Sequence, residues 1–230
     1  MENAGLVVAI DGVSGSGKSS TSRGVASRLG LAYLDTGAMF RAMTWWLLRA
    51  DVDVQDAAAV AARCGEPEIV SGTDPAAPTI TVDGRDVGVE IRSAEVNAAV
   101  SPVSAVPEVR ARLLALQRAV IADATTGGGG IVVEGRDIGS VVAPDAQVKV
   151  YLTADPAARA DRRAAEEGAG SAVDAAAVEA VRASLLARDE IDSSRATAPL
   201  TMAEGAVHVD TTSSSLEEVV DRIADLAGAR

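Results

Sequence analysis

The apolar positions of this 230-residue chain form short runs that alternate with helical patterns. Residues 6–10 are a continuous apolar run, which is typical of a strand buried on both faces of a parallel sheet. Similar runs predict further strands at 31–34, 131–133, 148–152 and 207–209. Strands that alternate with helices predict an α/β fold in three layers, with a central parallel sheet of about five strands between helices.

Several helices have recognisable ends. A helix over 19–29 is expected to end at Gly30, because glycine is favoured just beyond a helix C-terminus. The clearest amphipathic helix begins near Pro107, a residue that is favoured in the first turn. The last helix opens with Ser215 and Glu218 in the spacing of a capping box. These signals place helices between the predicted strands and after the last one.

One region breaks the alternation of strands and helices. Residues 66–104 contain prolines, glycines and short alternating segments. Apolar residues on either side of Asp83-Gly84 predict a β-hairpin with a tight turn, whose second strand includes Val87 and Val89. We therefore expect a small β-rich insert in the α/β domain.

Composition and charge narrow the classes of function. An apolar fraction of 48% and a charged fraction of 23% suit one compact domain with a small insert. The net charge of −12 argues against a nucleic-acid polymer or an anionic membrane as partner. The single cysteine leaves no intrachain disulfide, and the single histidine disfavours a histidine-based triad. Without a long apolar run, an export signal or a coiled-coil heptad, we expect a cytoplasmic monomer.

A phosphate-binding loop follows the first predicted strand. Residues 12–19, GVSGSGKS, fit G-x-x-x-x-G-K-[ST] between a strand and a helix, where backbone amides and the helix N-terminus bind phosphate oxygens. Lys18 is expected to contact the β- and γ-phosphates, and the Ser19 hydroxyl to bind Mg²⁺. The motif predicts ATP binding by the loop and the residue that follows it, namely Gly12, Val13, Ser14, Gly15, Ser16, Gly17, Lys18, Ser19 and Ser20.

The arginines indicate the class of phosphate acceptor. Arg188, Asp192 and Arg195 fall at i, i+4 and i+7, so a helix would place them on one face. Cationic side chains supply most of the catalysis in phosphoryl transfer, and a phosphate monoester, already anionic at pH 7, needs no base. A nucleoside monophosphate kinase is therefore favoured over a small-metabolite kinase like shikimate kinase. A non-catalytic, nucleotide-sensing P-loop module is a further alternative.

Three more motifs follow the phosphate loop in order. They are DTGAMFR at 35–41, EGRDIG at 134–139 and RDEIDSSR at 188–195. Together with the loop, these motifs resemble the bacterial cytidylate (CMP) kinase family over nearly the whole chain, including the insert. The phosphate loop alone is shared by many enzymes, whereas the three other motifs in this order are specific.

The resemblance implies a P-loop NTPase fold in three parts. The core would comprise 1–63, 106–158 and 189–230, the nucleoside-monophosphate-binding insert 64–105, and a helical lid 159–188. The implied activity transfers the γ-phosphoryl group of ATP to CMP or dCMP, giving CDP or dCDP, with Mg²⁺ as cofactor. The implied partners are the small-molecule substrates ATP and CMP or dCMP, with no nucleic-acid polymer and no membrane.

The resemblance also implies where the acceptor nucleotide binds. Arg41, Arg136 and Arg195 match the arginines that hold the CMP phosphate. Arg188 and Asp192 match residues near the ribose. In the implied reaction, the arginines fix the acceptor in line and neutralise the transferring group.

Cytosine recognition is assigned in the same way. Ser101, Arg110 and Asp137 match the residues that read the base, and Thr36 and Gly37 belong to the implied acceptor site. A carboxylate such as that of Asp137 accepts a hydrogen bond from the cytosine N4 amino group, whereas uracil presents an acceptor there.

The remaining implied roles concern catalysis, the lid and the metal. The residues that stabilise the transferring group would be Lys18, Arg136, Arg188 and Arg195. The lid arginines over ATP would be Arg159, Arg162 and Arg163. Ser19 would bind Mg²⁺, with Asp35 as an outer-shell partner.

Overall fold

A computed structural model describes residues 5–167, 175–195 and 198–228, with α-helices and β-strands in alternation. The strands are β1 (Leu6–Gly12), β2 (Ala32–Asp35), β3 (Ile69–Ser71), β4 (Ile80–Val82), β5 (Arg85–Asp86), β6 (Gly130–Gly135), β7 (Val148–Thr153) and β8 (Val207–Asp210). The helices are α1 (Lys18–Leu29), α2 (Thr36–Arg49), α3 (Ala57–Arg63), α4 (Ala94–Ala105), α5 (Pro107–Thr125), α6 (Pro156–Glu167), α7 (Ala175–Ser194) and α8 (Leu216–Gly228).

The main sheet has five strands in the order β2-β6-β1-β7-β8. β2 pairs in parallel with β6, β1 with β7, and β7 with β8. All five strands predicted from the apolar runs are confirmed, and so is the α/β fold. β1 and β6 are buried along nearly their whole length, as strands covered on both faces must be.

The chain divides into two compact units. The first comprises Met1–Val7 and Ala26–Glu134, and the second comprises Val8–Val25 and Gly135–Arg230. The first unit holds helices α2 to α5 and a small antiparallel sheet in the order β3-β4-β5. The second holds the phosphate loop, β7, β8 and helices α6 to α8.

Helix ends follow the sequence signals. Gly30 adopts a φ of +67°, and the Leu31 amide donates to the Ala26 carbonyl at 2.8 Å, which closes the end of α1. Pro107 is the first residue of α5, as predicted. At the start of α8, Ser215 and Glu218 exchange the two hydrogen bonds of a capping box, at 2.8 and 3.3 Å.

The hairpin was predicted with a second strand that is too long. Asp83 and Gly84 both have positive φ, at 50° and 76°, so the tight turn is confirmed. β5 nevertheless ends at Asp86, whose carboxylate accepts the Gly88 amide at 2.8 Å and turns the chain. Beyond that turn Val89 is 84% exposed, and it lies outside any strand.

The insert also contains more helix than its composition suggested. Residues 94–105 form α4, although Pro102 lies inside it. Ser93 caps this helix by accepting the Val96 amide at 3.3 Å, and Val100 and Val103 are buried. The description of the whole insert as β-rich is therefore wrong for its last part.

None of the helices in the described ranges combines the length and the apolar character that a membrane crossing requires.

Candidate functional site

The phosphate loop connects β1 to α1 in the second unit. Gly12 has a φ of +153°, and a Cβ atom there would come within 2.2 Å of the Leu152 carbonyl oxygen, so only glycine fits. The Lys18 ammonium donates to the Val13 carbonyl at 2.6 Å, which holds the lysine across the loop. The Ser19 side chain is exposed in the first turn of α1, and its hydroxyl is the hard oxygen donor that Mg²⁺ prefers.

A buried carboxylate immediately precedes the loop. Asp11 is 3% exposed and accepts the backbone amides of Ile138 at 2.7 Å and Gly139 at 2.8 Å. Burial raises the pKa of Asp11 to about 6, although both hydrogen bonds act in the opposite direction. No role was predicted for Asp11 from the sequence. Its only signal was an acidic residue at the end of an apolar run.

An arginine–aspartate–arginine cluster lies beside the start of the loop. Arg136 donates to the Gly12 carbonyl at 3.2 Å and forms an ion pair with Asp192 of α7. Arg195, just beyond α7, is 3.6 Å from the second Asp192 oxygen and also donates to the Asp192 carbonyl at 3.2 Å. The structure therefore brings together three of the residues predicted for the acceptor. The side chain of Arg188 lies outside the described part.

Two of the predicted lid arginines have protein partners at the phosphate loop. Arg159 donates to the Ser14 carbonyl at 3.0 Å and forms an ion pair with Asp189. Asp189 in turn accepts the Ser14 amide at 3.1 Å. The two side chains and the Ser14 backbone thus link α6, α7 and the loop in one network. Asp189, adjacent to a motif arginine, was not predicted to have a role.

Arg162 supports the loop from another side. It donates to the Thr211 hydroxyl at 2.9 Å and to the Thr211 carbonyl at 2.5 Å. The Thr211 hydroxyl lies 3.1 Å from the Ser16 carbonyl within the loop. Thr211 follows β8 and carried no signal in the sequence. Arg163, the third predicted lid arginine, is half-buried on α6. ATP binding by these arginines remains a prediction.

The first unit contains Ser101 and Arg110, two of the three residues predicted to read cytosine. Arg110 is 9% exposed, donates to the Ser104 carbonyl at 3.1 Å and lies 5.4 Å from the centre of the Phe40 ring. The Ser104 hydroxyl donates to the Ser101 carbonyl at 2.9 Å. Arg110 and Ser101 are therefore linked through Ser104, and the guanidinium group is held in place by both a hydrogen bond and a ring.

Arg41 is held by Ile91, which precedes α4, and by Asn97 within α4. Its guanidinium group donates to the Ile91 carbonyl at 3.3 Å and to the Asn97 side chain. These two contacts fix the direction of the arginine that the sequence predicts to bind the acceptor phosphate.

The start of α2 gives Asp35 and Thr36 structural contacts. The Asp35 carboxylate accepts the Ala38 amide at 2.9 Å and caps α2. The Thr36 hydroxyl donates to the Glu134 carbonyl at 2.7 Å, and Gly37 occupies the first turn. A capping role accounts for the acidic residue at position 35, and its contribution to a metal shell remains a prediction.

The comparisons with known proteins agree on one family. The family model for cytidylate kinases matches residues 8–229. A cytidylate kinase of Streptomyces coelicolor is 57% identical over 221 residues, or 96% of this chain and 92% of that protein. A cytidylate kinase of Corynebacterium glutamicum is 46% identical over 230 residues, or 100% of this chain and 97% of that protein.

A solved structure shares the fold. An uncharacterized protein from Eubacterium ventriosum has a TM-score of 0.53 at 12% identity, over 98% of this chain and 99% of that one. The family match covers the phosphate loop, the arginine cluster and the insert alike. With these sites in one continuous match to relatives of nearly equal length, the chain belongs to the cytidylate kinase family.

Proposed function

We propose that this protein transfers the γ-phosphoryl group of ATP to CMP or dCMP, giving CDP or dCDP. The observation that carries the proposal is the contact between Arg136 and the first residue of the phosphate loop, Gly12. Because of this contact, the guanidinium group that we assign to the acceptor phosphate lies next to the loop that we assign to the donor phosphate. The relatives named above as cytidylate kinases support the choice of acceptor.

The donor is bound by the loop and the start of α1. The backbone amides and the positive end of the helix dipole favour the triphosphate, and Lys18 exchanges its contact with the Val13 carbonyl for phosphate oxygens. Ser19 would hold Mg²⁺, which supplies neutralising charge to the triphosphate. Together these groups stabilise the charge that shifts toward the leaving ADP.

The acceptor phosphate is bound by arginines. Arg136 and Arg195 share the Asp192 carboxylate, which holds both guanidinium groups in place before a substrate arrives. Arg41 is the proposed third ligand of the same phosphate. The acceptor oxygen is already anionic at neutral pH, so the arginines orient it and no base is needed.

The base is read by groups of complementary polarity. We assign Asp137 to accept the cytosine N4 amino group, and Arg110 with Ser101 to donate toward N3 and O2. Asp137 is 6% exposed and Arg110 is 9% exposed, so a mismatched base would leave poorly hydrated polar groups without partners. This arrangement disfavours uracil.

The assignment of the lid and of the acceptor-binding insert follows the family resemblance. Segment 159–188 is proposed as the lid over ATP, and 64–105 as the acceptor-binding insert. The remainder would form the core.

An assay of ADP release over all nucleoside monophosphates tests the proposal. We expect turnover with CMP and dCMP, and a kcat/KM at least about tenfold lower for UMP, the cost of one mismatched hydrogen bond to a charged group. Turnover with AMP or a small hydroxylated metabolite, and none with CMP, would contradict it. The small-metabolite kinase and the nucleotide-sensing module are not favoured by the relatives, and CMP turnover by the isolated chain would exclude both.

A further inference from the structure

Two consecutive residues at the end of β1, Asp11 and Gly12, contact different parts of the segment 136–139. The Asp11 carboxylate accepts the amides of Ile138 and Gly139, and the next carbonyl along the chain, that of Gly12, accepts Arg136. The segment 136–139 is thus fixed at both ends by two consecutive residues. It carries Arg136 and Asp137, the residues assigned above to the acceptor phosphate and the cytosine.

The geometry of the Asp11 contact is specific to a carboxylate. Ile138 and Gly139 are the first residues of a single π-helical turn, Ile138–Val142, and their amides donate to separate oxygens of the Asp11 carboxylate. A carboxylate accepts one amide on each oxygen, whereas an asparagine would turn an N–H group toward one of them. Because Asp11 is buried, water does not replace the lost acceptor easily.

We propose that Asp11 is a positioning residue for the acceptor, which aligns Arg136 and Asp137 with the phosphate loop. This inference rests on the proposed function. We assign Asp11 no contact with a substrate. Its effect passes through the 136–139 backbone, so its loss should weaken the binding and discrimination of the acceptor more than the binding of ATP.

The first test is kinetic and uses Asp11→Asn. We expect the KM for CMP to rise by about tenfold or more, the scale of one lost charge-assisted hydrogen bond. The CMP/UMP ratio of kcat/KM should fall, and the KM for ATP should stay within about twofold. A general loss of structure would change the kinetics with both substrates, so the split between CMP and ATP separates positioning from folding.

A matched control is available at the start of α3. The Asp56 carboxylate also accepts two consecutive helix amides, those of Ala58 at 2.9 Å and Ala59 at 3.2 Å, but it is exposed and belongs to no proposed site. Asp56→Asn should leave both KM values and the CMP/UMP ratio at the wild-type level. Equal behaviour of the two variants would overturn the inference.

A second measurement does not require the variant to fold. In wild-type protein, the chemical shift of the Asp11 carboxyl carbon is measured by NMR as a function of pH. We expect the amide proton shifts of Ile138 and Gly139 to change with the same midpoint. Among the described residues, the ionisable groups that interact with Asp11 are Asp137, Lys18 and Tyr151 of the neighbouring strand β7, so their side chains should be monitored in the same spectra. Amide shifts that do not follow Asp11 would mean that the contact does not hold the segment.

The failure of this inference differs from the failure of the proposed function. Wild-type protein that does not phosphorylate CMP would contradict the proposed function. Wild-type turnover together with unchanged CMP parameters in folded Asp11→Asn would contradict the positioning role alone.

Discussion

The Asp189 carboxylate accepts a hydrogen bond from the Ser14 backbone amide at 3.1 Å, so a side chain of α7 binds the phosphate loop directly. Its other oxygen pairs with Arg159, which returns to the Ser14 carbonyl. Both carboxylate oxygens are therefore used in joining α6 and α7 to the loop. Three residues further along α7, Asp192 binds the arginine that contacts Gly12. Helix α7 therefore contacts the loop at Ser14 directly and at Gly12 through Arg136.

Replacing Asp189 should destabilise the protein. In Asp189→Ala the Arg159 side chain, of which 5% is exposed, would be left buried without its carboxylate partner. Loss of one partner of a buried ion pair costs about 3 kcal/mol, and we expect a decrease of that order in the free energy of unfolding in urea. The KM for ATP should also rise, because Ser14 belongs to the loop.

The control for this change is an exposed ion pair of the same helix. Glu179 and Arg182 lie 3.4 Å apart, with 69% and 45% of their side chains exposed. Glu179→Gln should change the free energy of unfolding by less than about 0.5 kcal/mol. A similar small effect for Asp189→Ala would show that the Arg159 contact contributes little.

Lys18 should act mainly in the transition state. We expect Lys18→Ala to bind CMP nearly as well as wild type, with kcat lower by a factor of about 10² or more, as for other single electrostatic stabilisers. Steady-state kinetics and CMP titration measure the two quantities. Lys149→Ala is the matched control, because Lys149 contacts only the Glu204 carbonyl, at 3.4 Å, among its described hydrogen bonds. Wild-type turnover in Lys18→Ala would mean that the loop does not bind the donor.

Asp137 should determine the choice between cytosine and uracil. The asparagine side chain of Asp137→Asn presents an N–H group to uracil O4, which the carboxylate does not. We expect the CMP/UMP ratio of kcat/KM to fall by about tenfold, mostly through loss of CMP activity. A uniform decrease with an unchanged ratio would instead indicate that Asp137 orients Arg136, and cytosine recognition would then depend on Ser101 and Arg110.

The pH dependence of stability should reflect the buried Asp11 carboxyl. Its pKa is raised from 3.8 to about 6, so the folded protein binds more protons than the unfolded chain between these values. The contribution of Asp11 to stability therefore falls as the pH rises through this window, by about 3 kcal/mol in all. Above and below the window the contribution is constant.

Urea unfolding of wild type and Asp11→Asn over this range isolates the effect. The difference in free energy of unfolding, wild type minus variant, should decrease between about pH 4 and about pH 7, while contributions from other carboxylates cancel. A difference that does not change with pH, or that increases, would show that the pKa of Asp11 is not raised in the folded state.

Local signals in the sequence were sufficient for most of the fold. The apolar runs located the five strands of the sheet, and Gly30, Pro107 and Ser215 marked helix ends, because each of these preferences arises within a few residues of backbone. The hairpin was predicted less well. The turn at Asp83-Gly84 was predicted correctly, but β5 ends at Asp86, whose carboxylate accepts the Gly88 amide, and the alternating valines did not indicate this contact.

The sequence by itself determined the phosphate loop, the order of the motifs and the residue types that suit a phosphate acceptor, because each is a matter of spacing along the chain. The tertiary structure alone decided the partners of Asp11 and Asp189, whose contacts span 127 and 175 residues. An acidic residue carries no local sign of which amide it will accept. That choice depends on which backbone groups the packed strands and helices leave unsatisfied nearby, and these are set only when the whole core has formed.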